Sequence, residues 1–134
     1  MKVGPVLETC LYSTDLEAAE RFYRDILGLE VHSRQSGRFV FFRCGKGMFL
    51  VFHPERSRLS HWDVPAHGSD GPGHVAFVVA KDQLESWRRR LSSHQVAVEK
   101  ELVWPGGGRS LYFRDPAGNS VELATPDLWK ANSE

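Results

Sequence analysis

The chain has 134 residues, of which 41% are hydrophobic and 25% are charged, enough for one globular domain but too few for two of ordinary size. Seventeen basic residues balance seventeen acidic ones, so no diffuse positive field exists to attract nucleic acid or an anionic membrane. No apolar stretch approaches the roughly 20 residues of a membrane span, and the first residues lack the apolar run of a signal peptide. We therefore expect a soluble, cytoplasmic protein with no nucleic-acid or membrane partner.

The first half of the chain has the pattern of a strand, a helix and three further strands. Residues 6–12 alternate as in a half-buried strand, and Ser13-Thr14-Asp15 forms a helix N-cap cluster. Apolar residues then recur at helical spacing up to Leu27, and Gly28 is a natural C-terminal stop. Strand-like runs follow at 29–34, 38–43 and 48–53, separated by glycine-containing turns.

The same order of elements returns in the second half of the chain. A strand is predicted at 73–79 and an amphipathic helix at 81–93, followed by strands at 96–103, 109–114 and 120–124. The sequence thus predicts one domain, 1–134, of class α+β, made of two βαβββ modules at about 5–54 and 72–126. The linker 55–71 is rich in His, Ser, Pro and Gly, which is typical of an exposed connection, although a loop of this length could also fold over a site as a lid.

Short motifs occur in both modules and in a fixed order. They are Asp15-Leu16, Phe22-Tyr23 and Leu27-Gly28 in the first module, and GHVAF at 73–77 and YFRDPAGNSVE at 112–122 in the second. Together with the repeat, they make the chain resemble the vicinal oxygen chelate superfamily of glyoxalases, fosfomycin-resistance and bleomycin-resistance proteins, and extradiol dioxygenases. The resemblance implies a glyoxalase-like fold, in which paired modules form an open, cup-shaped mixed β-sheet, and it implies a homodimer.

The resemblance also implies one divalent metal ion, which would be manganese, iron, nickel, zinc or magnesium. The histidine of GHVAF corresponds to His74 and the glutamate of the last strand corresponds to Glu122. The first-strand ligand falls on Glu8, where many relatives have histidine or glutamine. The fourth carboxylate of glyoxalases maps to Leu50 and is missing. Glu122 or Glu8 is also expected to serve as a catalytic base.

Each of the three predicted metal ligands could instead have a purely structural role. A strand histidine such as His74 is often a hydrogen-bonded core residue, and a strand glutamate such as Glu8 or Glu122 can simply face solvent. Candidate substrate-pocket residues come from the resemblance to the fosfomycin-resistance transferases and from the alternation of strands that line a cup. They are Cys10, Arg38, Trp104, Arg109, Ser110 and Tyr112.

The reaction itself is left open between several classes. A set of one histidine and two carboxylates is oxygen-rich and leaves metal positions for substrate oxygens, which indicates a lyase, an isomerase or a group-transfer enzyme. An extradiol dioxygenase ranks lower because Glu8 replaces its first histidine, and Cys10 in place of a threonine weakens the transferase interpretation. A third alternative is a bleomycin-sequestering protein without catalysis.

The two cysteines, Cys10 and Cys44, lie far apart and without the CxxC spacing of a zinc site. A reducing cytoplasm favours two buried thiols over a disulfide between them.

Overall fold

The computed structural model describes residues 1–130, and the chain divides into two compact units, Met1–Gly71 and Pro72–Glu134. The boundary falls at the end of the predicted linker, which belongs to the first unit. None of the helices within residues 1–130 has the length and apolar character that crossing a bilayer requires.

The first unit contains one mixed four-stranded sheet, in the order β1-β4-β3-β2. Strand β1 runs parallel to β4, and the other neighbours are antiparallel. Its elements are β1 Glu8–Tyr12, α1 Leu16–Arg21 with a π-helical continuation Phe22–Ile26, β2 Glu30–Gln35, β3 Phe39–Cys44, β4 Gly47–Phe52 and α2 Pro54–Ser57.

The predicted first helix is present, but it has two geometries. Asp15 caps it by accepting a hydrogen bond from the Ala18 amide at 3.0 Å. The α-helical turns give way to a π-helical segment where two consecutive aromatic side chains, Phe22 and Tyr23, are both buried. Gly28 then ends the helix with a φ of 78°, as a C-terminal glycine does.

The two faces of the first sheet have different surroundings. Phe42, Phe49 and Val51 are fully buried with Tyr23 of the helix and form the core of this unit. Because side chains alternate along a strand, the opposite face carries Cys10, Leu50 and the stacked rings of Phe39 and Phe41, whose centroids lie 4.0 Å apart.

The linker contains a helix and packed side chains, which corrects the prediction of a simple exposed connection. It begins with the short helix α2, because His53 caps the Glu55 amide and Pro54 occupies the first helical turn. Further along, Trp62 covers the Arg38 guanidinium at 3.7 Å, and the His67 ring lies against Phe52 and Tyr12. The linker therefore packs on the aromatic face of the first unit.

The second unit repeats this topology, in the sheet order β5-β8-β7-β6 with β5 parallel to β8. Its elements are β5 His74–Val78, a 3₁₀ turn Lys81–Gln83, α3 Leu84–Ser93, β6 Lys100–Val103, β7 Arg109–Arg114, β8 Ser120–Ala124 and a 3₁₀ turn Pro126–Trp129. Leu84 and Leu91 of α3 and Leu111, Phe113, Val121 and Leu123 of the sheet are buried as its core.

Strand β6 begins four residues later than predicted. The chain leaves α3 through Gln95, which has a φ of 61°, and the Val96 amide still donates to the Leu91 carbonyl of the helix at 2.9 Å. The first β-type hydrogen bond to β7 runs from the Glu99 amide to the Tyr112 carbonyl. The apolar residues 96–98 therefore belong to the helix exit rather than to the sheet.

Candidate metal centre

His74 and Glu122 lie on the adjacent parallel strands β5 and β8. His74 pairs with Ser120, and Ala76 pairs with Glu122, so the two side chains project from one face of the sheet at neighbouring positions. His74 Nε2 lies 3.3 Å from Glu122 Oε1. The carboxylate side chain is 6% exposed and the imidazole is 51% exposed. A buried carboxylate therefore lies beside a histidine that is open to solvent.

The other nitrogen of His74 determines how the ring is protonated. Nδ1 lies 3.0 Å from the Ser120 carbonyl oxygen. A carbonyl oxygen only accepts, so Nδ1 carries the hydrogen and donates it. In the neutral ring Nε2 then directs a lone pair at a carboxylate oxygen, and two acceptors at this distance repel each other unless a cation lies with them. That cation is either a proton on Nε2 or a metal ion.

Glu122 is fixed through its second oxygen. Ser110 Oγ lies 2.5 Å from Glu122 Oε2, which is the short distance of a charge-assisted hydrogen bond. Trp104 Nε1 lies 2.9 Å from the same Ser110 Oγ. The chain of contacts therefore runs from Trp104 through Ser110 and Glu122 to His74, and all four side chains belong to the second unit.

Tyr112 lies beside this chain of contacts, because its strand position is directly opposite Glu122 in the β7–β8 register. Its ring centroid is 6.4 Å from that of His74, with the two planes 26° apart. Burial raises the pKa of the Tyr112 phenol, and the negative charge of Glu122 raises it further. The side chain is half-buried and borders the His74–Glu122 pair.

Glu8 lies on β1 in the first unit, exposed and opposite Met48. Within residues 1–130, no three or more histidine, cysteine, aspartate or glutamate side chains lie close enough together to hold a metal ion. The structure thus brings together two of the three predicted ligands, and the role of Glu8 remains a prediction.

The strand registers agree with the internal repeat on which the ligand positions were mapped. Glu8 begins β1 opposite Met48, as His74 begins β5 opposite Ser120, so the two residues hold equivalent places. By the same register Leu50 is equivalent to Glu122. The carboxylate predicted to be missing from the first module is therefore replaced by an apolar side chain with 6% exposure.

The remaining candidate pocket residues lie in different places. Cys10 and Arg38 belong to the first unit, where the Cys10 thiol approaches the Tyr12 hydroxyl at 3.8 Å and Arg38 stacks under Trp62. Arg109 directly precedes Ser110 on β7, so its side chain points to the opposite face of the sheet. Ser110, Tyr112 and Trp104 are the candidates that surround Glu122. Cys10 and Cys44 are free thiols, as expected, but they are half-buried rather than buried.

Two contacts of the structure were not identified from sequence. The Ser120 carbonyl that orients His74 is a backbone group, which any residue could supply, so no sequence signal points to it. Tyr12 Oη lies 2.6 Å from His67 Nδ1 of the linker. No sequence signal points to this contact either, because residues 55 positions apart share no local pattern.

The family model described as "Glyoxalase/Bleomycin resistance protein/Dioxygenase superfamily" matches residues 5–123, and the chain belongs to this superfamily. Glutathione transferase FosA of Serratia marcescens is 31% identical over 116 residues, which are 86% of this chain and 76% of that protein. Metallothiol transferase FosB of Staphylococcus epidermidis is 26% identical over 133 residues, 96% of this chain and 86% of that protein.

Among solved structures, lactoylglutathione lyase from Agrobacterium tumefaciens superimposes with a TM-score of 0.92 at 41% identity, covering 98% of this chain and 100% of that one. The predicted family and the glyoxalase-like α+β fold with two βαβββ modules are therefore confirmed. The similar proteins are named as enzymes, in agreement with the prediction that this chain is an enzyme of the superfamily.

Proposed function

We propose that this chain is a divalent-metal-dependent enzyme that holds one ion through His74 and Glu122, with Glu8 as the third ligand. Its substrate is a small molecule chelated through oxygen atoms, which undergoes a lyase, isomerase or group-transfer reaction. The observation that carries the proposal is the pair formed by His74 Nε2 and Glu122 Oε1, two acceptors 3.3 Å apart that need a shared cation.

The donor set fits such an ion. Metal–ligand distances of about 2.0–2.2 Å at angles of about 90–110° place two ligands of one ion roughly 3.0–3.5 Å apart, and the observed separation lies in that range. Imidazole nitrogen together with carboxylate oxygen suits manganese, iron, nickel or zinc. A hydrogen bond from the second ring nitrogen to a backbone carbonyl is the usual support of a ligating histidine.

Each residue then has a defined task. When bound, a divalent ion supplies Lewis-acid polarisation of the chelated substrate oxygens. Glu122 has Oε2 held by Ser110 and Oε1 beside His74 Nε2 at the proposed ion position, so it serves as a ligand rather than as a mobile base. Glu8 is exposed, and as a ligand bound through one carboxylate oxygen it could accept a proton from substrate on the other. The Tyr112 phenol, next to the centre, is a hydrogen-bonding neighbour of Glu122 and helps to hold that carboxylate.

Glutathione-dependent chemistry is the first substrate class to test. Two relatives carry glutathione in their names, one as a glutathione transferase and one as a lactoylglutathione lyase. We therefore expect activity with glutathione conjugates such as lactoylglutathione, or with glutathione as co-substrate. Iron-dependent oxygen consumption with a catechol would instead favour the dioxygenase alternative. We further propose a cytoplasmic homodimer in which the two units act as one functional domain.

The test of the metal proposal is the metal content of the full-length protein by elemental analysis. Wild type should hold close to one divalent ion per chain, and His74→Ala, Glu122→Ala and Glu8→Ala should each lose it. His32→Ala and Glu30→Ala are matched controls, because they remove an exposed strand histidine and an exposed strand glutamate outside the centre. Correctly folded wild type that cannot be loaded with manganese, iron, nickel or zinc would favour the sequestering alternative.

A further inference from the structure

We infer that Ser110 and Trp104 are positioning residues that hold Glu122 in its ligating orientation, and that Ser110 is not a substrate contact. The inference rests on the proposed metal function and adds to it two residues that do not touch the ion. It reassigns Ser110, which the resemblance to phosphonate-binding transferases had suggested as a pocket residue.

The direction of each hydrogen bond follows from the chemistry of the donors. An indole nitrogen carries a hydrogen and has no acceptor lone pair, so Trp104 Nε1 donates to Ser110 Oγ at 2.9 Å. The hydroxyl hydrogen of Ser110 is then free for its second neighbour, the carboxylate oxygen Oε2 of Glu122 at 2.5 Å. The indole thereby favours the one hydroxyl rotamer that aims the hydrogen at Glu122.

Burial makes this support important. Ser110 is 1% exposed and Glu122 is 4% exposed, so water does not solvate the inner carboxylate oxygen. A buried carboxylate without a donor is strongly destabilised, and it turns towards any donor within reach. With Oε2 held by Ser110, Oε1 is the oxygen that remains beside His74 Nε2.

The positions of Ser110 and Trp104 are themselves fixed by the backbone. Ser110 pairs with Ala124 on β8, one diagonal step from Glu122 on the same face of the sheet. Trp104 lies in the turn between β6 and β7, where its amide donates to the Gly108 carbonyl at 2.7 Å and its carbonyl accepts from the Gly107 amide at 2.9 Å. The turn thus carries the indole to the buried serine.

The donor and acceptor capacity of the Ser110 hydroxyl decides which ligands it can bind. A serine hydroxyl has one hydrogen and two lone pairs. Its hydrogen is used by Glu122 and one lone pair by Trp104, and the Tyr112 phenol is a third hydrogen-bonding neighbour, so no hydrogen remains to donate. The anionic oxygens of a phosphonate need donors. Ser110 therefore contributes no hydrogen bond to such a ligand while Glu122 is in its ligating orientation.

The experiment measures manganese(II) affinity by calorimetry, with folding checked by circular dichroism. Ser110→Ala should weaken the affinity about 10- to 100-fold, the usual effect of removing a group that supports a metal ligand. Trp104→Phe should weaken it by a smaller factor, and Ser110→Thr, which keeps the hydroxyl, should restore most of it. Trp129→Phe is the matched control, since this tryptophan of the same unit is 91% exposed.

Two further measurements separate positioning from simple packing. If Trp104 acts through Ser110, adding Trp104→Phe to Ser110→Ala should cause no further loss of manganese affinity. The absorption spectrum of the cobalt(II)-loaded protein should change in Ser110→Ala and not in Trp129→Phe, because it reports the coordination of the ion. Methylphosphonate affinity of the manganese-loaded protein should be the same for wild type and Ser110→Thr.

Three results would overturn the inference. The first is a Ser110→Ala variant that binds manganese as tightly as wild type does, and the second is full additivity of the two substitutions. The third is a Ser110→Ala variant that loses methylphosphonate affinity while its manganese affinity is unchanged. Failure of wild type to bind manganese or cobalt appears before any variant is compared, and it overturns the proposed metal function together with the role of Ser110.

Discussion

Individual side chains of the second unit are restricted by which atoms can donate and which can only accept. The Ser120 carbonyl fixes the hydrogen of His74 on Nδ1, and the Trp104 indole fixes the hydrogen of Ser110 towards Glu122. Each restriction arises because the Ser120 carbonyl can only accept a hydrogen bond and the Trp104 indole can only donate one. The result is a histidine nitrogen and a carboxylate oxygen that face each other at 3.3 Å, with room between them for a shared proton or a metal ion.

A second polar contact, in the first unit, joins the Tyr12 phenol to the linker residue His67 at 2.6 Å. Burial and the neighbouring Cys10 thiol raise the pKa of Tyr12 from its ordinary value of 10.0 to about 12, with Arg58 acting in the opposite direction. Below pH 10 the folded and unfolded chains both keep the phenol hydrogen. Between pH 10 and about 12 only the folded chain keeps it, so proton loss favours the unfolded state.

We therefore predict that the free energy of unfolding of wild type falls between pH 10 and about 12. Tyr12→Phe should be less stable than wild type at pH 8 by about 1 kcal/mol, because it lacks the hydrogen bond to His67. Its stability should fall less steeply above pH 10. Urea denaturation of both proteins from pH 8 to pH 11.5 measures this, and parallel pH curves would contradict the assignment.

At the scale of elements, the turn between β6 and β7 is held against the last 3₁₀ turn of the chain. A Cβ added to Gly108 would lie 2.7 Å from the Leu128 Cα and 2.9 Å from the Leu128 nitrogen, whereas a Cβ on Gly106 would meet no atom within 4 Å. The obstacle at Gly108 is backbone, which cannot move aside as a flexible side chain can. The two glycines belong to one turn but have different surroundings.

Gly108→Ala should therefore destabilise the protein by about 1–3 kcal/mol, the usual range for overpacking. Gly106→Ala should be neutral or slightly stabilising, because it removes backbone freedom from the unfolded chain without creating a contact. The midpoints of guanidinium denaturation compare the two variants. Equal midpoints would show that the approach of Leu128 to Gly108 does not restrict this turn.

At the scale of the whole molecule, each unit presents an edge strand with exposed apolar side chains. Strand β1 lies at one edge of the first sheet and β5 at one edge of the second. Val6 and Leu7, directly before β1, are 80% and 72% exposed, and Val78 at the end of β5 is 70% exposed. Apolar edges of this kind are typical of strands that meet another chain. They support the proposed homodimer.

Sedimentation should give twice the mass of one chain, and Val78→Lys should weaken self-association about tenfold or more, because it places a charge at the proposed interface. Val103→Lys is the matched control. Val103 is 71% exposed and lies on β6, at the opposite edge of the same sheet. A wild type that sediments as one chain, or equal effects of the two substitutions, would contradict the proposal.

The sequence alone determined the order of elements, the repeat and the superfamily. These depend on local features that are visible in one stretch of chain, such as the Asp15 cap, the Gly28 stop and the alternation of β7 and β8. His74 and Glu122 could be named because they stand in motifs at fixed places on strands. The short helix α2 was missed because its four residues are too few to show a helical repeat. The start of β6 was missed because the apolar residues 96–98 look alike whether they continue a strand or leave a helix.

Tertiary structure alone decided which atoms of the named residues meet. The contacts of Glu122 with Ser110 and of His67 with Tyr12 join strands or segments that are distant in sequence. Alternation along a strand predicts the face of a side chain, but cross-strand register and side-chain rotamers determine its neighbours. Hydrogen-bond direction is a property of those neighbours, so the sequence named candidate ligands and the packed sheet determined how they are oriented.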